Sequence, residues 1–180
     1  MIILITGGQR SGKSNYAEKL IKEKKDAKVA YIATSIVDGE EMEDRVRIHK
    51  NSRPSSWRTI EAYRDFAKEI KEEDYYMLEC VGTMTSNIMY DFSKDLNRIS
   101  TELSKEIEDE VFCEIENLIK TINEKNKHLI IVTNEVGFSL TSQNHVGRVY
   151  TDILGRVNQR IAKLSDEAYL VVAGMEVRLK

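Results

Sequence analysis

Eight residues near the start of the chain, Gly7-Gly8-Gln9-Arg10-Ser11-Gly12-Lys13-Ser14, fit the pattern GxxxxGK[ST]. Their types and order suit the binding of a nucleoside triphosphate. Glycines let the backbone close around phosphate oxygens, and a helix that follows turns its unsatisfied N–H groups and its dipole toward the anion. In that arrangement Lys13 neutralises the β- and γ-phosphates and Ser14 ligates Mg²⁺. The alternative is a glycine-rich turn that only caps a helix. The apolar strand expected before the motif and the helical spacing after it disfavour that alternative.

Magnesium calls for an acidic neighbour at the end of another strand. Glu79, directly after Tyr75-Tyr76-Met77-Leu78, fits that place best. Glu135, after Ile130-Ile131-Val132-Thr133-Asn134, competes with it, and either carboxylate could instead cap a helix. Arg45, His49 and Arg53 recur at four-residue spacing, which puts them on one face if a helix persists that far, although Pro54 disfavours helical geometry at Arg53. Neighbouring cations oppose protonation of His49 and leave a ring nitrogen free to attack. The same arginines can hold triphosphate oxygens as pyrophosphate departs. From spacing alone, a solvated basic helix with an incidental histidine is the simpler reading. His128 opens an apolar strand and reads as structural, and His145 starts a helix after a polar loop and carries little functional signal.

The elements that must position these groups follow from periodicity. Ile2 to Thr6 is a continuous apolar and β-branched run and reads as a buried strand; Ser14 to Lys24 has helical spacing. Further strand-like runs lie at Lys28 to Ala33, Tyr75 to Leu78, His128 to Thr133 and Ala168 to Ala173. Two helices stand out, Ser100 to Asn123 on Leu103, Ile107, Val111, Ile115, Leu118 and Ile122, and Val146 to Ser165 on Val149, Ile153, Val157, Ile161 and Leu164. The alternation predicts an α/β fold with a mostly parallel sheet covered on both sides, and Met175 to Leu179 after Gly174 is expected to add an antiparallel edge strand.

The 180 residues, 41% of them hydrophobic, suffice for one domain with its own core, so residues 1–180 are read as a single nucleotide-binding and catalytic unit. A net charge of −3 gives no broad basic footprint, which argues against nucleic-acid binding. Cys80 and Cys113 stand far apart and read as two small buried thiols. Neither a signal peptide nor a membrane span is recognisable, so a cytoplasmic protein is expected.

Several blocks in combination carry a resemblance. They are the Gly7 to Ser14 motif, Tyr31-Ile32-Ala33-Thr34-Ser35, the Arg45 to Arg53 segment with Pro54, Trp57-Arg58-Thr59-Ile60-Glu61, Leu78-Glu79-Cys80, Asn87, Thr133-Asn134-Glu135-Val136-Gly137 and Gly155-Arg156-Val157-Asn158-Gln159-Arg160. In this order they resemble the bifunctional adenosylcobinamide kinase and adenosylcobinamide-phosphate guanylyltransferase family of cobalamin synthesis. The resemblance implies a P-loop NTPase with a RecA-like sheet and a homo-oligomer, a trimer being the size it suggests. It implies phosphorylation of adenosylcobinamide, with ATP or GTP as donor, and then transfer of GMP from GTP to adenosylcobinamide phosphate through a guanylylated histidine. By position that histidine is His49. Nucleotide contacts are carried over to Gly7, Gly8, Gln9, Arg10, Ser11, Gly12, Lys13, Ser14, Ala33, Thr34, Ser35, Lys50, Asn51, Ser52, Arg53, Glu61 and Glu79. Catalysis falls to His49 and Lys13, and Mg²⁺ to Ser14 and Glu79.

The chain departs from the family after Thr-Asn-Glu-Val-Gly, where members commonly continue Gly-Ile-Val-Pro and this sequence has Phe138-Ser139-Leu140-Thr141-Ser142. Thr151 stands where a basic residue is common. Two rival readings are a P-loop kinase for another small alcohol and a non-catalytic nucleotide switch. The second lacks a base-reading signature, since Asn126-Lys127-His128-Leu129 has no acidic fourth residue as in NKxD.

Overall fold

The computed structural model describes residues 1–36, 54–96 and 98–180. In it the first apolar run forms β1 (Ile2–Gly7), with all six residues buried. A strand with no exposed face belongs inside a sheet covered on both sides, and β1 lies between two parallel neighbours, β5 (His128–Asn134) and β6 (Glu167–Val172). With β2 (Val29–Ala33), β3 (Arg58–Glu61), β4 (Tyr75–Glu79) and β7 (Met175–Arg178), the order across the sheet is β3-β2-β4-β5-β1-β6-β7. Every pairing is parallel except β6–β7, the antiparallel hairpin expected from Gly174.

Period-two alternation splits the core. Ile3 and Ile5 of β1, Tyr31, Met77, Ile130 and Val132 face α1 (Lys13–Lys22) through Ala17 and Ile21. Ile2 and Leu4, Ile32, Leu78 and Ile131 face the other layer, which is built from α2 (Val81–Ser93), α3 (Thr101–Glu124) and α4 (His145–Leu164). The long helices begin where side chains can satisfy their first N–H groups: Ser100 Oγ accepts from Leu103 N at 3.1 Å, and Asn144 Oδ1 accepts from Val146 N at 2.9 Å. No helix among the described residues is long and apolar enough to cross a membrane.

Three expectations need correction. Leu164 is 41% exposed rather than inward, because α4 ends there and its stripe has already passed the core at Ile161. Neither cysteine is a buried thiol. Cys80 is half-buried where its sulfur caps α2 through Thr83 N at 3.4 Å, and Cys113 is exposed on α3. Periodicity also missed two elements, β3 and α2. Strand β3 is only four residues long with one buried side chain, and α2 opens Val-Gly-Thr-Met-Thr-Ser, a run of weak helix formers, although Val81, Met84, Ile88 and Met89 form its buried stripe.

Candidate functional site

Parallel strands end together, so their carboxyl ends bring distant sequence to one edge of the sheet. In register, Gly7 lies beside Asn134, and Ala33 lies between Glu61 and Glu79. The Gly7–Ser14 stretch leaves this edge from the centre of the sheet and turns into α1. Gly12, at φ 95°, adopts a left-handed conformation that a side chain resists, and Arg10 adopts φ 60°. Gly7 is required by crowding, since a Cβ there would come within 2.5 Å of the Val171 carbonyl oxygen. Gly174, at φ 79° in the β6–β7 turn, donates its N–H to Ser11 O at 2.8 Å and braces the loop from behind.

Lys13 is only 8% exposed, and its ammonium donates to the Gly8 carbonyl at 3.1 Å across the loop. Burial pushes its pKa below the ordinary lysine value, against the opposing pull of Cys80 and Glu79. Ser11 Oγ and Thr6 Oγ1 are buried and have no hydrogen-bond partner among the described residues. A cation and hydroxyls packed under a curved backbone in this way form a cradle suited to an anion.

Beside the cradle, the Glu79 carboxylate is held at both oxygens. Ser14 Oγ donates to Oε1, and the Tyr31 hydroxyl donates to Oε2 at 3.0 Å. Strand β5 separates β1 from β4, yet the first turn of α1 carries Ser14 across to Glu79. Glu135 turns away, since its backbone N–H donates to Gly7 O at 2.9 Å and its carboxylate accepts from Gly137 N at 2.6 Å. Of the two acidic candidates, Glu79 is therefore the one that meets Ser14.

Thr34 is 1% exposed and organises the end of β4: its Oγ1 lies 2.9 Å from Cys80 O, where its proton can be donated, and accepts from Cys80 N at 2.9 Å. Asn87 on α2 donates to Thr34 O at 2.7 Å. Asn158 on α4 accepts from Thr133 Oγ1 at 2.7 Å and donates to Asn134 O at 3.0 Å, so the 155–160 block fixes the end of β5. Ala33, Thr34 and Ser35 thus lie along the same edge as the cradle, while Gln9 and Arg10 face solvent on its outer side. Glu61 is the outlier. It ends the edge strand β3, four strand spacings or about 19 Å from β1. Arg45, His49, Lys50, Asn51, Ser52 and Arg53 lie outside the described residues.

Two contributors were missed from sequence. Tyr31 sits in an apolar run where an aromatic residue reads as core, and nothing in the spacing announces its grip on Glu79. The backing of the loop by Val171 and Gly174 had one visible sign, the glycine itself, which was read only as a turn.

The family described as cobinamide kinase / cobinamide phosphate guanyltransferase matches residues 3–179. The chain belongs to that family. It is 37% identical over its full length to the bifunctional adenosylcobalamin biosynthesis protein CobU of Escherichia coli, covering 100% of that protein. It is 38% identical to CobU of Salmonella typhimurium, again over 100% of both chains. A protein of the same description from Pseudomonas aeruginosa, CobP, is 31% identical over 98% of this chain and 96% of its own. Among solved structures, the flagellar accessory protein FlaH of Methanocaldococcus jannaschii superposes with a TM-score of 0.51 at 16% identity, covering 99% of this chain and 77% of that one. A type III secretion ATPase gives a TM-score of 0.59 at 10% identity over 98% of this chain and 56% of its own. These two show a shared fold and nothing about substrate; with the Gly7–Ser14 motif between β1 and α1, that fold is the P-loop NTPase fold expected from sequence.

Proposed function

We propose that this chain phosphorylates adenosylcobinamide and then converts the product to adenosylcobinamide-GDP, with residues 1–180 acting as one catalytic domain. The observation that carries the reading is the meeting of Ser14 with Glu79 beside the buried Lys13 ammonium, in a chain that belongs to the family along its length. One hydroxyl and one carboxylate are hard oxygen donors of the kind Mg²⁺ takes, with water and phosphate completing its shell. Bound there, the ion would draw charge from the phosphate oxygens.

In the first reaction the loop amides and Lys13 hold the triphosphate while the corrinoid hydroxyl oxygen bonds to the γ-phosphorus and the bond to the bridging oxygen breaks. ATP and GTP both suit a cradle that touches only phosphates. In the second, a neutral His49 nitrogen attacks the α-phosphorus of GTP and pyrophosphate leaves. An oxygen of adenosylcobinamide phosphate then displaces the histidine from the phosphoramidate. Ala33 to Ser35, Lys50 to Arg53, and Glu61 are nucleotide contacts in this reading. The enzyme is assigned to the cytoplasm as a homo-oligomer, with the trimer that the resemblance implies.

The test is incubation with GTP labelled at the α-phosphate, followed by a search for acid-labile, alkali-stable label on the protein. Wild type takes up label, whereas His49→Ala takes up none and still phosphorylates adenosylcobinamide. Persistent labelling of His49→Ala would remove the covalent role of that residue.

A further inference from the structure

The turn that follows β5 breaks the usual placement of apolar residues. Phe138 is 83% exposed and Leu140 is 97% exposed. A single exposed leucine means little, but this pair stands on a turn that is held in shape. Val136 packs against the core at its base. The Glu135 carboxylate accepts from Gly137 N at 2.6 Å, and Ser139 donates to Val136 O through both its hydroxyl, at 2.7 Å, and its N–H, at 3.3 Å. On the return leg, Arg148 Nη1 donates to the carbonyls of Ser142 at 3.0 Å and Gln143 at 2.7 Å. The bonds order the backbone around two side chains that stay exposed.

The turn's position narrows what those side chains meet. Its root is bonded to the root of the phosphate cradle, Glu135 N to Gly7 O at 2.9 Å. Leu140, five residues further on, lies at most about 18 Å from Glu135. The chain runs from the turn into α4 at His145, and between α4 and residues 98–104 lies a groove of about 550 Å³ lined by Arg98, Ser100, Ser104, His145 and Asp152. An acceptor whose hydroxyl reaches the γ-phosphate must lay the rest of its body across this edge. A corrinoid body is a broad ring system with methyl-bearing faces and a rim of neutral amides, which need both donors and acceptors.

We infer that Phe138 and Leu140 dock the apolar face of the corrin ring and that the adjoining groove receives its amide rim, so the 137–142 turn sets acceptor specificity. The inference rests on the proposed function and adds the residues that read the acceptor.

The experiment compares wild type with Phe138→Ser/Leu140→Ser for KM toward adenosylcobinamide, KM toward the nucleotide, and mass by light scattering. A small acceptor without the macrocycle, 1-amino-2-propanol, is run in parallel. The expected result is a rise in KM for adenosylcobinamide on the order of tenfold or more, from apolar area no longer covered. The KM for nucleotide, the mass and the rate with the small acceptor stay unchanged. An unchanged KM for adenosylcobinamide overturns the inference, and if the mass falls at the same time the turn is covered by a second copy instead. A change in nucleotide KM alone also overturns it. Should the double variant fold poorly, Leu140→Ser alone changes a side chain that is 97% exposed and carries the same test. If wild type does not turn over adenosylcobinamide at all, the proposed function fails first and the inference fails with it.

Discussion

At the amino ends of β3 and β4, Arg58 grips both oxygens of Glu73 and donates to Glu69 O at 2.8 Å, while the Tyr76 hydroxyl donates to Glu73 at 2.8 Å and accepts from Lys71 N at 2.8 Å. Hydrogen bonding from Arg58 holds the Glu73 pKa down at about 2, and burial, reinforced by Glu73, pushes Tyr76 up to about 12. At the carboxyl ends the pattern reverses. Lys13 is buried with a carbonyl as its bonded partner, burial lowers its pKa, and two hydroxyls nearby lack partners among the described residues. One end of the sheet matches its charges within the chain, and at the other, among the described residues, Lys13 is bonded only to a neutral carbonyl beside two unpartnered hydroxyls. The expectation is that substitutions at the first end cost stability and substitutions at the second cost activity.

The sharpest way to break this comparison is at Lys13. Lys13→Ala should lower turnover on the order of 10³-fold, the scale of a lost donor at a transition-state oxyanion. In the nucleotide-free protein the same region should respond in the opposite direction. A lysine whose folded pKa is depressed costs stability below that pKa, and the cost vanishes above the unfolded value of 10.5. Lys13→Met should therefore raise the melting temperature of the free protein while abolishing its stabilisation by nucleotide. A lower melting temperature would show that Lys13 supports the fold as well.

Glu79→Gln should reduce turnover about 100-fold and raise the Mg²⁺ concentration needed for half-maximal rate, measured by titrating the ion into chelator-treated protein. The melting temperature should change little. Unaltered magnesium dependence would transfer the metal role away from the Ser14–Glu79 pair.

At the other end, Glu73→Gln should cost stability rather than rate. The expected loss is about 2 kcal/mol in urea unfolding, reduced from the full linkage value because Arg58 is a third exposed. Since the folded pKa of Glu73 lies below its unfolded 4.5, its contribution is complete above pH 4.5 and disappears as the pH falls through about 2. The difference between wild type and variant should close over that window. A difference that persists at pH 2 would assign the loss to packing.

The smallest effect is expected at a site belonging to neither end's charge pattern. Ser100→Ala removes the cap of α3 and should cost about 1 kcal/mol in urea unfolding, with the KM for nucleotide unchanged.

Much of this arrangement was legible in sequence because it is local. The strand, glycine turn and helix around Lys13 are contiguous, and the stripes of α3 and α4 were read correctly except at Leu164. Glu79 was preferred to Glu135 for its place directly after an apolar strand, but that Ser14 meets Glu79 depends on the path of α1 over the sheet, which no spacing displays. The remainder depends on neighbours that are remote in sequence. Tyr31 meets Glu79 across 48 positions, and Arg58 looks like any surface arginine until β3 pairs with β2 and carries it to Glu73. Short elements such as β3 have too few residues to display a period, and α2 opens on glycine, threonines and a valine, whose weak helix propensity masks the stripe of Val81, Met84, Ile88 and Met89.

The bracing of the cradle by the β6–β7 hairpin has a consequence for how the protein is made. Gly7 and Gly12 leave the ribosome early, whereas Val171 and Gly174, which press against them, leave late. A growing chain therefore carries the Gly7–Ser14 segment long before the residues that brace it are made. If nucleotide binds there as proposed, its stabilising effect is expected only in a chain to which β6 and β7 have been added.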